Sequence, residues 1–138
     1  MADLPKTQEE LRAAVKGKSD ADVLALFQGQ EELAIETILN AMPPRLDAAK
    51  AGNQSAIFQW DIDTPAGLKQ NQVVVEGGKA TIVKGPAVKA KSILKCGLPT
   101  FCRMISGELD GQKAFMSGQL KISGDVMFSR NIQGWFKV

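Results

Sequence analysis

Ala56-Ile57-Phe58-Gln59-Trp60-Asp61-Ile62-Asp63 is the stretch on which the fold turns. Ala56, Phe58, Trp60 and Ile62 share one face of an extended chain, and Gln59, Asp61 and Asp63 share the other. That period of two is the mark of a half-buried strand. Downstream, Thr64-Pro65-Ala66-Gly67 reads as a turn and Gln72-Val73-Val74-Val75-Glu76 as a second strand. Gly77-Gly78 then makes a hairpin into Lys79-Ala80-Thr81-Ile82-Val83. Gly85-Pro86 interrupts, and residues 88–96 read as a fourth strand, again joined by a hairpin. Residues 99–107 form a short helix with Pro99 in its first turn. Residues 118–123 form a fifth strand, and a terminal helix starts at Asp125.

Upstream of Ala56 the period is helical. Thr7 followed by Glu10 is a capping box for a helix over 7–16, with Gly17 as its stop. Ser19-Asp20-Ala21-Asp22 opens a second short helix carrying Val23, Leu24, Leu26 and Phe27. A third helix spans 31–42, where Leu33, Ile35, Ile38, Leu39 and Met42 form an apolar stripe and Glu31, Glu32 and Glu36 fall mostly outside it. Met42-Pro43-Pro44 ends it. Helices, hairpin-linked strands, a helix, a strand and a helix predict an α+β domain. Its single five-stranded, largely antiparallel sheet is covered by helices. The chain divides into an N-terminal helical extension, 1–30, and a main domain, 31–138.

Composition excludes several functions. The chain has no histidine and no tyrosine, so neither a Ser-His-Asp nor a Cys-His nucleophile can be assembled. Cys96 and Cys102 lack the paired spacing of a zinc site and read as buried free thiols. Seventeen basic against fifteen acidic residues give a formal charge of +2, too balanced for a nucleic-acid binder. Met1-Ala2-Asp3-Leu4-Pro5-Lys6 lacks a signal peptide's apolar core, and no run reaches the length of a membrane span. The expectation is a cytoplasmic binding module without enzymatic activity, cofactor or metal.

Four features remain. On the terminal helix, Phe128, Ile132, Trp135 and Phe136 fall on one face, which suits either a core helix or a lid tethered at one end. Methionines and phenylalanines crowd residues 101–128, as in an adaptable apolar pocket or in plain core filling. Along the fourth strand Lys89, Lys91 and Lys95 share a face. They form either a solvated edge or a seat for an anionic lipid headgroup. Asp61 and Asp63 lie on a polar strand face and read as solvated.

The run Ile105-Ser106-Gly107-Glu108-Leu109-Asp110-Gly111-Gln112-Lys113-Ala114-Phe115-Met116-Ser117-Gly118-Gln119-Leu120-Lys121-Ile122-Ser123-Gly124-Asp125 closely resembles the signature of the type-2 sterol carrier protein domain. That family shows a Ser/Thr-Gly-Lys-Leu helix end, an Ala-Phe pair, a Gly-Lys-Leu-Lys strand and a Gly-Asp or Gly-Asn before its last helix. Met42-Pro43-Pro44-Arg45 and Lys50-Ala51-Gly52 are similar to the connection before the first strand in bacterial members. The resemblance covers residues 31–136. It implies an apolar tunnel that binds fatty acids, fatty acyl-CoA, sterols or phospholipids without covalent chemistry. By position it implies Phe101, Ile105, Phe115, Met116, Leu120, Ile122, Met127 and Phe128 as ligand-lining residues. Helical periodicity adds Ile132, Trp135 and Phe136. The family's acidic helix start is replaced here by Gly97-Leu98-Pro99-Thr100. The expected partners are a lipid or fatty acyl ligand, a transient membrane surface or a lipid-metabolising enzyme. The sequence leaves the oligomeric state open.

Overall fold

A computed structural model describes residues 4–5 and 7–136. Residues 1–3 and 6, read above for a signal peptide, and 137 and 138 lie outside them. The elements run α1 (Gln8–Val15), α2 (Asp20–Leu26), α3 (Glu31–Asn40), α4 (Ala48–Ala51), β1 (Ala56–Thr64), β2 (Gly67–Glu76), β3 (Lys79–Lys84), β4 (Ser92–Gly97), α5 (Leu98–Ile105), α6 (Gly111–Met116), β5 (Leu120–Gly124) and α7 (Asn131–Trp135). The five strands form one sheet in the order β3-β2-β1-β4-β5. The neighbours pair antiparallel except for β1 and β4, which pair parallel and make the sheet mixed.

Alternation sets the inner face. Ala56, Phe58, Trp60 and Ile62 of β1 are buried, as are Asn71, Val73 and Val75 of β2. Ser92, Leu94 and Cys96 of β4 join them. On the opposite face Asp63 is exposed, while Asp61 accepts hydrogen bonds from Gln59 (2.8 Å) and Gln70 (3.3 Å).

The β3–β4 connection corrects the expected hairpin. A parallel neighbour for β1 can be reached only by a crossover. Residues 85–91 therefore leave β3 at one edge and pass β2 and β1 before pairing. Gln72 donates to the Gly85 carbonyl (3.2 Å), and the Ala87 N–H donates to Gln59 Oε1 (2.9 Å), which accounts for the burial of Gln59. The fourth strand consequently begins at Ser92 rather than at Val88, and Val88 is exposed.

The helical half follows its local signals. Thr7 Oγ1 accepts from the Glu10 N–H, and Ser19 Oγ from the Asp22 N–H. Both short helices pack on α5 and bury Leu11, Val15 and Val23, with Phe27 just past the end of α2. Arg103 of α5 pairs with Asp20 and donates to the Lys18 carbonyl at 3.0 Å. In α3 the buried stripe is Glu31, Ala34, Ile35, Ile38 and Leu39, so Leu33 lies off it and is exposed. The expected terminal helix is broken instead. Asp125 Oδ1 accepts from the Phe128 N–H, a 3₁₀ turn covers Phe128–Arg130, and only Asn131–Trp135 is α-helical.

Gly124 has φ +79°, and a Cβ there would stand 2.7 Å from the Lys91 carbonyl oxygen. Gly118 has a similar φ of +81° but open space around it. Gly124→Ala is expected to destabilise the fold by about 2 kcal/mol or more, since a backbone clash adds to the usual cost of a left-handed alanine. Gly118→Ala should lose about 1 kcal/mol. Urea unfolding of the two variants checks the ranking.

Candidate functional site

The row Trp60–Leu94–Ile122 crosses β1, β4 and β5 on the inner face, because each of these residues stands opposite the next. With Leu120 it floors a cavity of about 530 Å³. The size falls in the range of small-molecule sites. Met104 and Ile105 at the end of α5 form one wall, and Gly111, Phe115 and Met116 of α6 form another. The third wall is the C-terminal segment, through Val126, Met127, Ser129, Arg130, Ile132 and Phe136. Met42 and Arg45, after α3, close the remaining side, and Asp110 and Gln112 complete the lining.

Aromatic packing and backbone bonds fix the C-terminal wall. Phe128 stacks on Phe58 at 5.6 Å, and Trp135 meets both rings edge-on, at 5.5 Å from Phe128 and 5.8 Å from Phe58. The Asp47 N–H donates to the Trp135 carbonyl, and Leu46 forms an antiparallel bridge with Phe136. The last helix is therefore held at both ends, unlike a lid free at its C-terminus. The loosely held wall is α6. Only Gly111 and Ala114 are buried there, whereas Phe115 and Met116 are exposed. Across the mouth, Val126 and Met127 are exposed too.

Of the eleven apolar residues singled out in the sequence, Ile105, Phe115, Met116, Leu120, Ile122, Met127, Ile132 and Phe136 line this cavity. Phe101, Phe128 and Trp135 stand behind it. Phe101 is fully buried and meets Trp60 edge-on at 5.1 Å. The three lysines do not share a face. Lys89 and Lys91 belong to the crossover, not to β4, and Lys95 points outward from the sheet opposite Lys121. Lys91 pairs with Asp125 at 3.7 Å and lies over the Phe128 ring. The crossover geometry of residues 85–91 is what breaks the ladder.

Trp60, Leu94 and Met42 line the cavity without having been named as candidates, although strand alternation puts the first two on the inner face and the apolar stripe of the third helix includes Met42; Met104 belongs to the methionine and phenylalanine cluster of residues 101–128. Arg45, Asp110, Gln112, Ser129 and Arg130 carry no periodic signal, since turns and helix ends bring them to the lining. Next to the floor, on adjacent strands, the Trp60 indole N–H and Asn71 Oδ1 are buried without a hydrogen-bond partner among the described residues. Among the described residues, no helix is long and apolar enough to cross a membrane, and no three metal-ligating side chains cluster.

The model of the SCP-2 sterol transfer family matches residues 35–137. The chain belongs to that family. Solved structures share its fold. Palmitated SCP2L2 from Aedes aegypti superposes with a TM-score of 0.61 at 21% identity, covering 75% of this chain and 98% of that one. The inverting sec-alkylsulfatase Pisa1 from Pseudomonas sp. gives a TM-score of 0.60 at 17% identity, covering 95% of this chain and 30% of the sulfatase. The peroxisomal multifunctional enzyme type 2 of Mus musculus is 30% identical over 81 residues, 57% of this chain. The chain spans only 11% of the length of that enzyme. Both enzymes are much longer than the part that this chain matches.

The two cysteines sit on β4 and α5, both buried and free. Burial pushes each thiol up to about 12, with the neighbouring Cys102 adding to the rise at Cys96. In the unfolded chain a thiol titrates near 8.5. Folding therefore favours the protonated form. The stabilisation is complete below about pH 8.5 and is lost progressively toward about pH 12. At pH 8 both thiols should resist a disulfide reagent until urea is added. Thiol counting with and without urea checks this.

Proposed function

We propose that this protein is a cytoplasmic, non-catalytic lipid carrier that holds one apolar chain in the cavity between the inner sheet face and α5, α6 and the C-terminal segment. The observation that carries the reading is the cavity itself. It is floored by Trp60, Leu94, Leu120 and Ile122, walled mostly by apolar side chains, and open at a rim of exposed Phe115, Met116, Val126 and Met127. An acyl chain or sterol body placed there gains about 0.8 kcal/mol per buried methylene. Membership of a sterol transfer family supports the same use, as does a fold neighbour that is palmitated. Fatty acids, fatty acyl-CoA, sterols and phospholipids all fit the class. In this reading α6 is the wall that moves to admit the ligand, and the exposed methionines beside it touch a membrane during exchange.

Native mass spectrometry of the purified protein, followed by extraction and identification of what it carries, tests the proposal. A stoichiometric lipid supports it. A clean apo mass, with no change in tryptophan emission on adding acyl chains, sinks it. Trp60 lines the cavity and Trp135 does not. Ligand-induced emission changes should therefore vanish in Trp60→Phe and persist in Trp135→Phe. Val126→Trp, which puts bulk at a half-exposed lining position, should abolish uptake while leaving the circular dichroism spectrum and urea midpoint unchanged.

A second reading draws on the recurrence of this fold inside longer enzymes. There the domain would present a lipid to a lipid-metabolising enzyme. Vesicle-to-vesicle transfer separates the two. A carrier moves lipid alone, whereas an accessory domain moves it only when that enzyme is present.

A further inference from the structure

The cavity has a neighbour. A narrow seam with about 10 Å³ of space runs between α1 and α3. Pro5 and Leu11 line it on one side, and Ile38 and Ala41 on the other. That is barely the room one water molecule needs, against about 530 Å³ in the main cavity. Met42, Arg45 and Ile105 line both spaces. These three side chains are therefore the partition between them. The residues matched to the family model begin at 35, so Pro5 and α1, which close the seam from outside, belong to the N-terminal extension.

The three parts of the partition differ in how readily they move. Ile105 ends α5, and its β-branch leaves it few rotamers. Its carbonyl accepts from the Gln8 side chain at 3.3 Å, which ties the end of α5 to α1. Arg45 carries a charge that an apolar seam cannot solvate. Met42 is unbranched and neutral, with a side chain that adapts to irregular space. Its backbone is fixed on both sides. The N–H donates to the Leu39 carbonyl at 2.9 Å, and the carbonyl accepts from the Arg45 N–H at 2.8 Å. Only the side chain is left to move. The outer side of the seam is lightly held. Helix α1 has eight residues, of which Leu11 and Val15 are buried, and a helix of that length has little stability of its own.

We infer that Met42 is a length gate, and that the seam behind it is a distal subsite for the far end of a ligand chain too long for the main cavity. The inference rests on the carrier reading and adds chain length to it. When the Met42 side chain turns aside, seam and cavity join. The chain end then lies among Leu11, Ile38 and Ala41, and α1 eases outward as the Gln8–Ile105 hydrogen bond breaks. The apolar character of those three side chains suits the hydrocarbon end of a ligand and not its head. The N-terminal extension thus sets the longest chain the protein encloses.

The test uses the full, delipidated protein and saturated fatty acids from dodecanoate to tetracosanoate in two-carbon steps, with affinities measured by competition. Each buried pair of carbons should tighten binding on the order of tenfold, and the rise should stop at the longest chain that is enclosed. Ala41→Leu fills the seam from a position outside the main cavity. Met42→Ile stiffens the gate at similar volume. Each should lower the length limit by about two carbons or more. Met42→Ala removes the gate, and should favour the longest chains over dodecanoate by about tenfold more than the wild type does. Hydrogen exchange on the unsubstituted protein gives an independent reading. The α1 amides should exchange faster with the longest bound chain than with dodecanoate. The same length limit in the wild type, Ala41→Leu and Met42→Ile overturns the inference and leaves the carrier reading standing. So does α1 exchange that is independent of chain length. A uniform loss of affinity at every length in these variants also overturns it, because damage to the fold has no length dependence. Failure of every chain to bind the wild type overturns the carrier reading itself.

Discussion

The packing of Phe58 with Phe128 and Trp135 is the contact on which the cavity depends. Phe58 sits on the central strand of the sheet, fully buried. The two rings that cover it belong to the C-terminal segment, which is otherwise a turn, a 3₁₀ turn and a five-residue helix. So short a helix has little stability of its own. The three mutually packed rings, with the Leu46–Phe136 bridge and the Asp47–Trp135 hydrogen bond, give the segment the order that its local sequence cannot. Without that order Ile132 and Phe136 would not face Leu120 and Ile122, and the inner sheet face would be an exposed apolar surface instead of a cavity floor.

This packing also separates two roles that the sequence runs together. Phe128, Ile132, Trp135 and Phe136 fall on one face of an ideal helix, yet Gly134 and the extended conformation at Phe136 prevent a long helix from forming. The side chains divide. Phe128 and Trp135 turn toward Phe58, whereas Ile132 and Phe136 turn toward the cavity. With the last segment anchored, α6 is the wall with the fewest buried side chains. That wall has two buried residues, Gly111 and Ala114, and is followed by a glycine with positive φ. Regions with few buried contacts open at the lowest free energy.

What the sequence made legible was whatever a local period encodes. The strand Ala56–Thr64 was readable because strict alternation of apolar and polar residues would scatter both kinds around a helix, whereas it sorts them cleanly onto the two faces of a strand. The hairpin at Gly77-Gly78 was readable from turn chemistry. The α+β class followed from the order of periods, and the lining residues within 105–127 only from the resemblance of that stretch to a family signature. The start of β4 was not legible, because Val88–Lys91 alternate like a strand while serving as the crossover that a parallel β1–β4 pair demands. The short helix α6 was not legible either, since six residues give less than two helical turns of pattern. Arg45, Trp60 and Leu94 come to the cavity from three different parts of the chain. Their meeting is a property of the sheet order and of the Leu46–Phe136 bridge, not of any window of sequence.

Exposed Met116 and Met127 line the cavity, Met116 on α6 and Met127 in the segment after β5. Flexible methionines tolerate ligands of varied shape, so the apolar part of the site selects weakly. A hydrophobic wall discriminates by about 0.8 kcal/mol per methylene. The shape of the cavity then depends on the C-terminal segment, which packing against Phe58 and the bridge at Leu46 hold in place.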